Sequence, residues 1–338
     1  MWILRILISG VDLFMDKRKA GAIAVVVVVV TSAAIFALWY PTTQPDVRIG
    51  YLSQDLHQLA LRVAISNGWF EDEGIKVQLL VYQNGAYEMD GFQSGQIDMG
   101  YLGVAPALVK SINAGINITV LAQANAEGSA IEVLKSEYDA GHVTTIADLA
   151  GKTIFQPGPS TVQNFLIRKA LNQSGLSVDD VTLQTTQVQY MAESLTADAP
   201  AYISWEPFPS LSSYEGITVP LMLSGEIWPN HPCCVVATDS TFADLHPDIV
   251  QKVVEIHVRA EEWIVDHPVE ALAIAVDWLG IDESPVSTAF NRIIYNHTLD
   301  VNGVRAYLDF LIDEELVSMS ASEATAYLET FIDLSYIT

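Results

Sequence analysis

Apolar and polar residues alternate over residues 47–52, Val-Arg-Ile-Gly-Tyr-Leu, and this period of two predicts a strand. A polar turn, Ser53-Gln54-Asp55, then leads into a stretch where Leu56, Leu59, Ala60 and Val63 share one helical face, closed by Gly68. The exchange of periods recurs. Strands over 75–81, 97–101 and 118–124 are separated by helices over 86–94 and 104–113, with Gly95 and Gly115 as stops. Strands alternating in this way with short helices predict parallel βαβ units.

A second run of the same kind follows. Strands are expected over 131–135, 153–155, 181–185, 201–204, 218–223 and 233–238, and a helix over 187–195. Its centre is the stretch 146–175. There the loop Gln156-Pro157-Gly158-Pro159 can continue neither a strand nor a helix, because Pro lacks an N–H and Gly suits turn geometry. Ser160 is a favoured N-cap, Phe165, Leu166, Lys169 and Ala170 form one face, and Gly175 ends the helix. From residue 248 only helical periodicity remains. Ile249, Val253, Ile256, Ala260 and Trp263 make an amphipathic stripe, Pro247 and Pro268 open two helices, Ser284-Pro285 opens another, and Ser320 with Glu323 forms a capping box for the last.

Two α/β runs with a helical tail imply two lobes and a cleft between them. In open α/β sheets ligands sit beyond the carboxyl ends of strands, which selects the loops 53–57, 82–85, 102–104, 158–161 and 205–206. Ser160 and Thr161 are candidates to hold ligand oxygens through hydroxyl and helix N-terminal N–H groups; their plainer role is helix capping. Gly103 and Val104 open a helix on the opposite jaw. Trp205 offers an apolar wall or a core anchor, and Glu206 an acceptor or a solvated charge. Gln54 and His57 lie just past the first strand.

The net charge of −25 over 338 residues argues against nucleic acid and anionic lipid as partners, both of which need basic patches. Residues 20–40, AGAIAVVVVVVTSAAIFALWY, carry no charge and as a helix would cover ~31 Å, about one hydrocarbon core. Arg5, Lys17, Arg18 and Lys19 precede this run, which predicts a single-pass signal anchor with a cytoplasmic stub over 1–19 and the acidic body outside. A cleavable signal peptide is the competing reading, disfavoured by the length of the run and its Leu-Trp-Tyr end. Met15 offers a cleaner start than Met1. The two cysteines, Cys233 and Cys234, are adjacent, so they form no long-range staple and no spaced metal motif. Buried thiols, a vicinal disulfide and metal ligation all stay open for them. No G-x-S-x-G, H-E-x-x-H or P-loop is present, so no catalytic set and no cofactor are expected.

Several segments in order carry a family resemblance over residues 47–265. They are Gly68-Trp-Phe with Gly74-Ile-Lys-Val, the run from Phe92 to Gly103, Ala147-Asp-Leu-Ala-Gly-Lys-Thr, Leu171 to Val181, and Ser204-Trp-Glu-Pro-Phe. The chain resembles the substrate-binding proteins of ABC importers for nitrate, sulfonate, taurine and bicarbonate, a group that also contains thiamine-pyrimidine binders. The resemblance implies a two-lobed, type II periplasmic-binding fold that closes on a small solute and docks on a permease with its ATPase. It implies two crossings between lobes, near 124–131 and 232–239, with 46–128 and 240–338 in the first lobe and 129–239 in the second. The chain departs from the family pattern at Pro157-Gly-Pro-Ser-Thr and at Ala197-Asp-Ala-Pro-Ala, which implies ligand contacts different from the family's. Binding or synthesis of a thiamine-pyrimidine precursor, with a reactive His57 or His231 beside Cys233, and a sensory ectodomain are the alternatives.

Overall fold

A computed structural model describes residues 44–337. The apolar run 20–40 lies outside the described residues; among those described, no helix is long and apolar enough to cross a membrane.

Among the described residues, eleven strands form two sheets. The first contains β1 (Val47–Leu52), β2 (Val77–Tyr82), β3 (Met99–Gly103), β4 (Ile118–Glu127), β10 (Pro232–Asp239) and β11 (Ile293–Ile294), in the order β11-β4-β10-β3-β1-β2. The second contains β5 (Ser129–Leu134), β6 (Thr153–Gln156), β7 (Thr182–Thr185), β8 (Ala201–Trp205) and β9 (Thr218–Leu223), in the order β7-β6-β8-β5-β9. β1 runs parallel to β2 and β3, and β6 to β7 and β8. Central strands such as β3, β4 and β8 are buried along nearly their whole length. This is why they read as apolar runs: helices cover both faces.

Counting helices of seven residues or more, the chain adds α1 (Leu59–Ser66), α2 (Gly85–Gln93), α3 (Val104–Ala114), α4 (Val162–Gln173), α5 (Phe208–Tyr214), α6 (Pro247–Asp266), α7 (Pro268–Leu279), α8 (Glu283–Phe290), α9 (Val301–Asp313) and α10 (Ala321–Phe331). The buried side of α6 carries Val250, Val253, Val254, Ile256, Ala260 and Ile264. The expected stripe is therefore turned slightly, and Ile249 and Trp263 sit at its margin.

Two expectations need correction. The strand expected over 233–238 belongs to the first sheet, not the second lobe: β10 lies antiparallel between β3 and β4. The second crossing thus falls over residues 224–231, before β10 begins. The first falls at Gly128, between β4 and β5. The helical tail is also not confined to the first lobe. β11 extends the first sheet beside β4, while α8 packs on α5 and Arg168 of α4 pairs with Glu314 at the end of α9. The tail therefore straps the two sheets together.

One buried carboxyl in α6 weakens the fold as pH rises. Glu261 is 1% exposed, and neither carboxylate oxygen has a hydrogen-bond partner among the described residues. Burial pushes its pKa well above the usual carboxylate range. A carboxyl raised in the folded state contributes its full stability below its unfolded pKa and loses it as pH rises through the folded value. Glu261→Met is therefore expected to stabilise the protein by about 1–3 kcal/mol, with the larger gain at pH 8 than at pH 5. Urea unfolding at the two pH values checks this; a lower midpoint for the variant at pH 8 would contradict it.

Candidate functional site

The carboxyl end of β1 leads into a tight turn whose acceptor is Asp55. Its Oδ1 accepts the His57 backbone N–H at 3.0 Å, and its Oδ2 accepts from the Gln58 side chain at 3.2 Å. Gln58 in turn accepts from Leu52 N at 2.7 Å and donates to the Tyr101 carbonyl at 2.8 Å, tying the turn to β1 and β3. This fixes the His57 ring, which is 1% exposed. Its Nε2 lies 2.8 Å from the Gly128 carbonyl, an oxygen that can only accept, so Nε2 carries a proton.

The other ring nitrogen faces sulfur. His57 Nδ1 lies 3.6 Å from Cys233 Sγ, 3.7 Å from Cys234 Sγ and 3.4 Å from Asp55 Oδ1. Neighbouring strand residues normally point to opposite faces. Here the register between β10 and β4 shifts on both sides of Cys234. The Cys234 N–H is taken by the Asn125 side chain at 3.1 Å. Such a bulge re-aims side chains, and both thiols reach the same imidazole. The two cysteines are free and buried, not joined as a vicinal disulfide.

The electrostatics are those of a shared proton set. The hydrogen bond from Cys234 and the His57 ring hold the Cys233 thiol well below its ordinary range against the opposing effect of burial. Cys234, as the donor, is raised. Burial would lower His57, but the Cys233 thiolate and Asp55 outweigh it and push the ring up to about 10. Burial raises Asp55 to about 6, with His57 opposing.

This cluster forms the floor of a cavity of about 30 Å³ between the two sheets. Three helix N-termini reach the same cavity: α2 through Asn84 and Gly85, α3 through Gly103, and α4 through Thr161, Val162 and Gln163. The first N–H groups of a helix lack intrahelical partners. Asn84 accepts from Ala86 and Tyr87, and Thr161 from Asn164, but the start of α3 has no side-chain cap. Trp205 lines this cavity and also a mouth of about 670 Å³. The mouth is bordered by Gln54, Gln83 and Tyr87 on one side and by Thr186, Gln187 and Gln189 on the other. Among the described residues, no Lys or Arg lines either space.

Of the residues expected at the site, His57, Gly103, Thr161 and Trp205 meet at the floor, and Gln54 stands at the mouth. Three do not line it. Val104 is fully buried behind Gly103. Ser160 is half-buried and is not the N-cap of α4; that role belongs to Thr161, because the helix starts at Val162. Glu206 is fully buried and turned away: one oxygen pairs with Arg292 at 2.9 Å, and the other accepts from Ser210 N at 3.1 Å, capping α5. His231 feels the charge of Cys233, but its Nδ1 meets the Tyr307 hydroxyl at 3.2 Å and the Pro232 carbonyl at 3.3 Å.

The loops selected from the sequence include Asp55 and Asn84 without singling them out; Gln163 and the segment 185–189 were missed. The last follows the carboxyl end of β7, so the rule that selected the other loops applied to it equally.

The sequence profile of the NMT1-like family matches residues 41–280. The chain belongs to this family. A Bacillus subtilis (strain 168) protein named for the binding of aliphatic sulfonates is 28% identical over 251 residues, covering 73% of this chain and 74% of its own length. The fold is shared with solved structures of low identity. The alkanesulfonate-binding protein of Xanthomonas axonopodis pv. citri, bound to MOPS, superposes with a TM-score of 0.71 at 17% identity, over 82% of this chain and 96% of that one. The periplasmic nitrate-binding protein of Synechocystis PCC 6803 gives 0.74 at 14% identity, over 87% and 88%. The α/β two-sheet periplasmic-binding architecture of this NMT1-like protein is thus the one these binding proteins use.

Proposed function

We propose that the chain is the solute-binding component of an ABC importer and captures a small oxyanion of the sulfonate or nitrate class between its two sheets. The observation that carries this reading is the convergence of three helix N-termini on one small cavity. An anion there is stabilised by backbone N–H groups and helix dipoles, each end contributing roughly 0.3–1 kcal/mol, or ~2 kcal/mol where partly buried. The sulfonate- and nitrate-binding relatives support the ligand class. No catalytic step is required. In this reading the apolar run 20–40 tethers the body on the extracytoplasmic side, where the closed form meets a permease.

Thermal unfolding with a panel of nitrate, bicarbonate, taurine and alkanesulfonates tests the proposal. A true ligand at 100 times its Kd adds ~2.7 kcal/mol of stability. No shift with any of them would remove the oxyanion class. The mouth, bordered by amides and the aromatic rings of Tyr87, Trp205 and Phe208, favours a second ligand type, a neutral aminopyrimidine. A shift with that compound alone would select it.

A further inference from the structure

The site as described leaves a buried pair of thiols and an imidazole without a role in holding an oxyanion. We infer that His57, Cys233 and Cys234 bind one thiophilic d10 metal ion, in the coordination class of Zn(II) or Cu(I), at the floor of the cleft. The ligand atoms of the three residues lie within 4.8 Å of one another, and all three side chains are at least nine-tenths buried. Two thiolates with one imidazole form a soft donor set that selects such ions over Mg(II) and Ca(II).

The geometry is already that of a ligand shell. Metal–sulfur bonds are ~2.3 Å and metal–nitrogen bonds ~2.0–2.1 Å. With those lengths, the observed Nδ1 to Sγ separations of 3.6 and 3.7 Å subtend about 112° and 116° at a common ion. These angles fall between the tetrahedral and trigonal values, so the donors need little rearrangement. The ring is also oriented as a ligating histidine is. Its Nε2–H donates to the Gly128 carbonyl, which fixes the ring plane and leaves Nδ1 directed at the sulfurs. Asp55 stands beside Nδ1 as the nearest further anion. The cavity of about 30 Å³ touches all three donors, so a fourth coordination position opens onto it. Binding displaces the protons shared among the donors into solvent. An ion here would also put a positive centre in a cleft that, among the described residues, no Lys or Arg lines.

The inference stands on this cluster alone and does not rest on the importer reading, because metal uptake is measured without any solute. The full chain, reduced in oxygen-free buffer, is titrated with Co(II) as an optical probe, with Zn(II), and with Cu(I) against a chromophoric chelator; Mg(II) serves as the control. The expected result is one equivalent of thiophilic ion per chain, sulfur-to-Co(II) charge-transfer absorption, and no Mg(II) uptake. Cys233→Ser and Cys234→Ser should each remove about half of that absorption. The double variant should bind at least 100-fold more weakly, with unchanged far-ultraviolet circular dichroism. No stoichiometric uptake of any of the three ions, or equal uptake by the double serine variant, overturns the inference. If a serine variant fails to fold, protection of the wild-type thiols from alkylation by stoichiometric Zn(II) decides instead, and absence of protection overturns it.

Discussion

Gly128→Ala is expected to destabilise the protein by about 2–5 kcal/mol, from a left-handed backbone cost of ~1–2 kcal/mol plus overpacking of ~1–3 kcal/mol. Gly128 has a φ of +82°, and a Cβ there would sit 2.3 Å from His57 Nε2 and 2.7 Å from Ile293 Cγ1. Neither neighbour can retreat easily. The ring is clamped by the Asp55 turn, and Ile293 belongs to β11, paired with β4. Gly128 is also the first crossing between the sheets, and its carbonyl accepts from both the His57 ring at 2.8 Å and Glu206 N at 2.9 Å. The substitution thus strains the junction and tilts the imidazole at once. Gly175→Ala is a matched control, with a φ of +80° and nothing within 4 Å of its added Cβ. It should cost only the backbone share, about 1–2 kcal/mol. Urea unfolding of both variants makes the comparison; equal losses would mean that the His57 contact yields freely.

Arg292→Ala is expected to cost about 3–5 kcal/mol, because it strands two buried carboxylates. The Arg292 guanidinium lies 2.9 Å from Glu206 and 3.9 Å from Glu132, both with fully buried side chains. Thr218 and Ser213 donate to Glu132 at 2.7 and 2.8 Å, but neither carries charge. Burial already raises Glu132 to about 7 despite those hydrogen bonds and Arg292. A carboxyl raised in this way contributes full stability below its ordinary value of 4.5 and loses it as pH rises through about 7. Without Arg292 the folded value climbs further, so the loss continues to grow above neutrality. The variant should therefore be damaged more at pH 8 than at pH 5, and adding Glu206→Gln should recover part of the loss. An Arg292→Ala deficit that is flat with pH would show that the carboxylates find another cation. Because Arg292 follows α8 and Glu206 follows β8, the same experiment weighs how strongly the helical tail fastens the second sheet.

Much of the architecture is legible from local periodicity. β1, β6, β7 and β9 are short runs bounded by Gly, Pro or polar turns, and each is found within a residue or two of where alternation places it. The helix after Pro157-Gly-Pro is equally legible, from the one face that Phe165, Leu166, Lys169 and Ala170 share, although its cap shifts from Ser160 to Thr161. The loops at the carboxyl ends of strands follow from the βαβ order alone, and so do His57, Gly103, Thr161 and Trp205 as cleft residues.

What periodicity cannot carry is adjacency between distant segments. Nothing local in 232–239 distinguishes a strand of one sheet from a strand of the other; its place, antiparallel between β3 and β4, comes from pairing with distant segments. Glu206 reads as an acceptor at a strand end, yet its partner is Arg292, 86 residues away in a tail that appeared separate. Cys233 and Cys234 look unspaced for a metal because the third donor is His57, 176 and 177 residues distant. A bulge opposite Asn125 turns both sulfurs toward it. The amino-acid sequence by itself determined the elements, their order and the loops that face a cleft, because those depend on side chains a few positions apart. Only the packed molecule decided which sheet takes β10, which charges meet, and that two thiols and an imidazole share one floor, because those depend on where independently formed surfaces come to rest against each other.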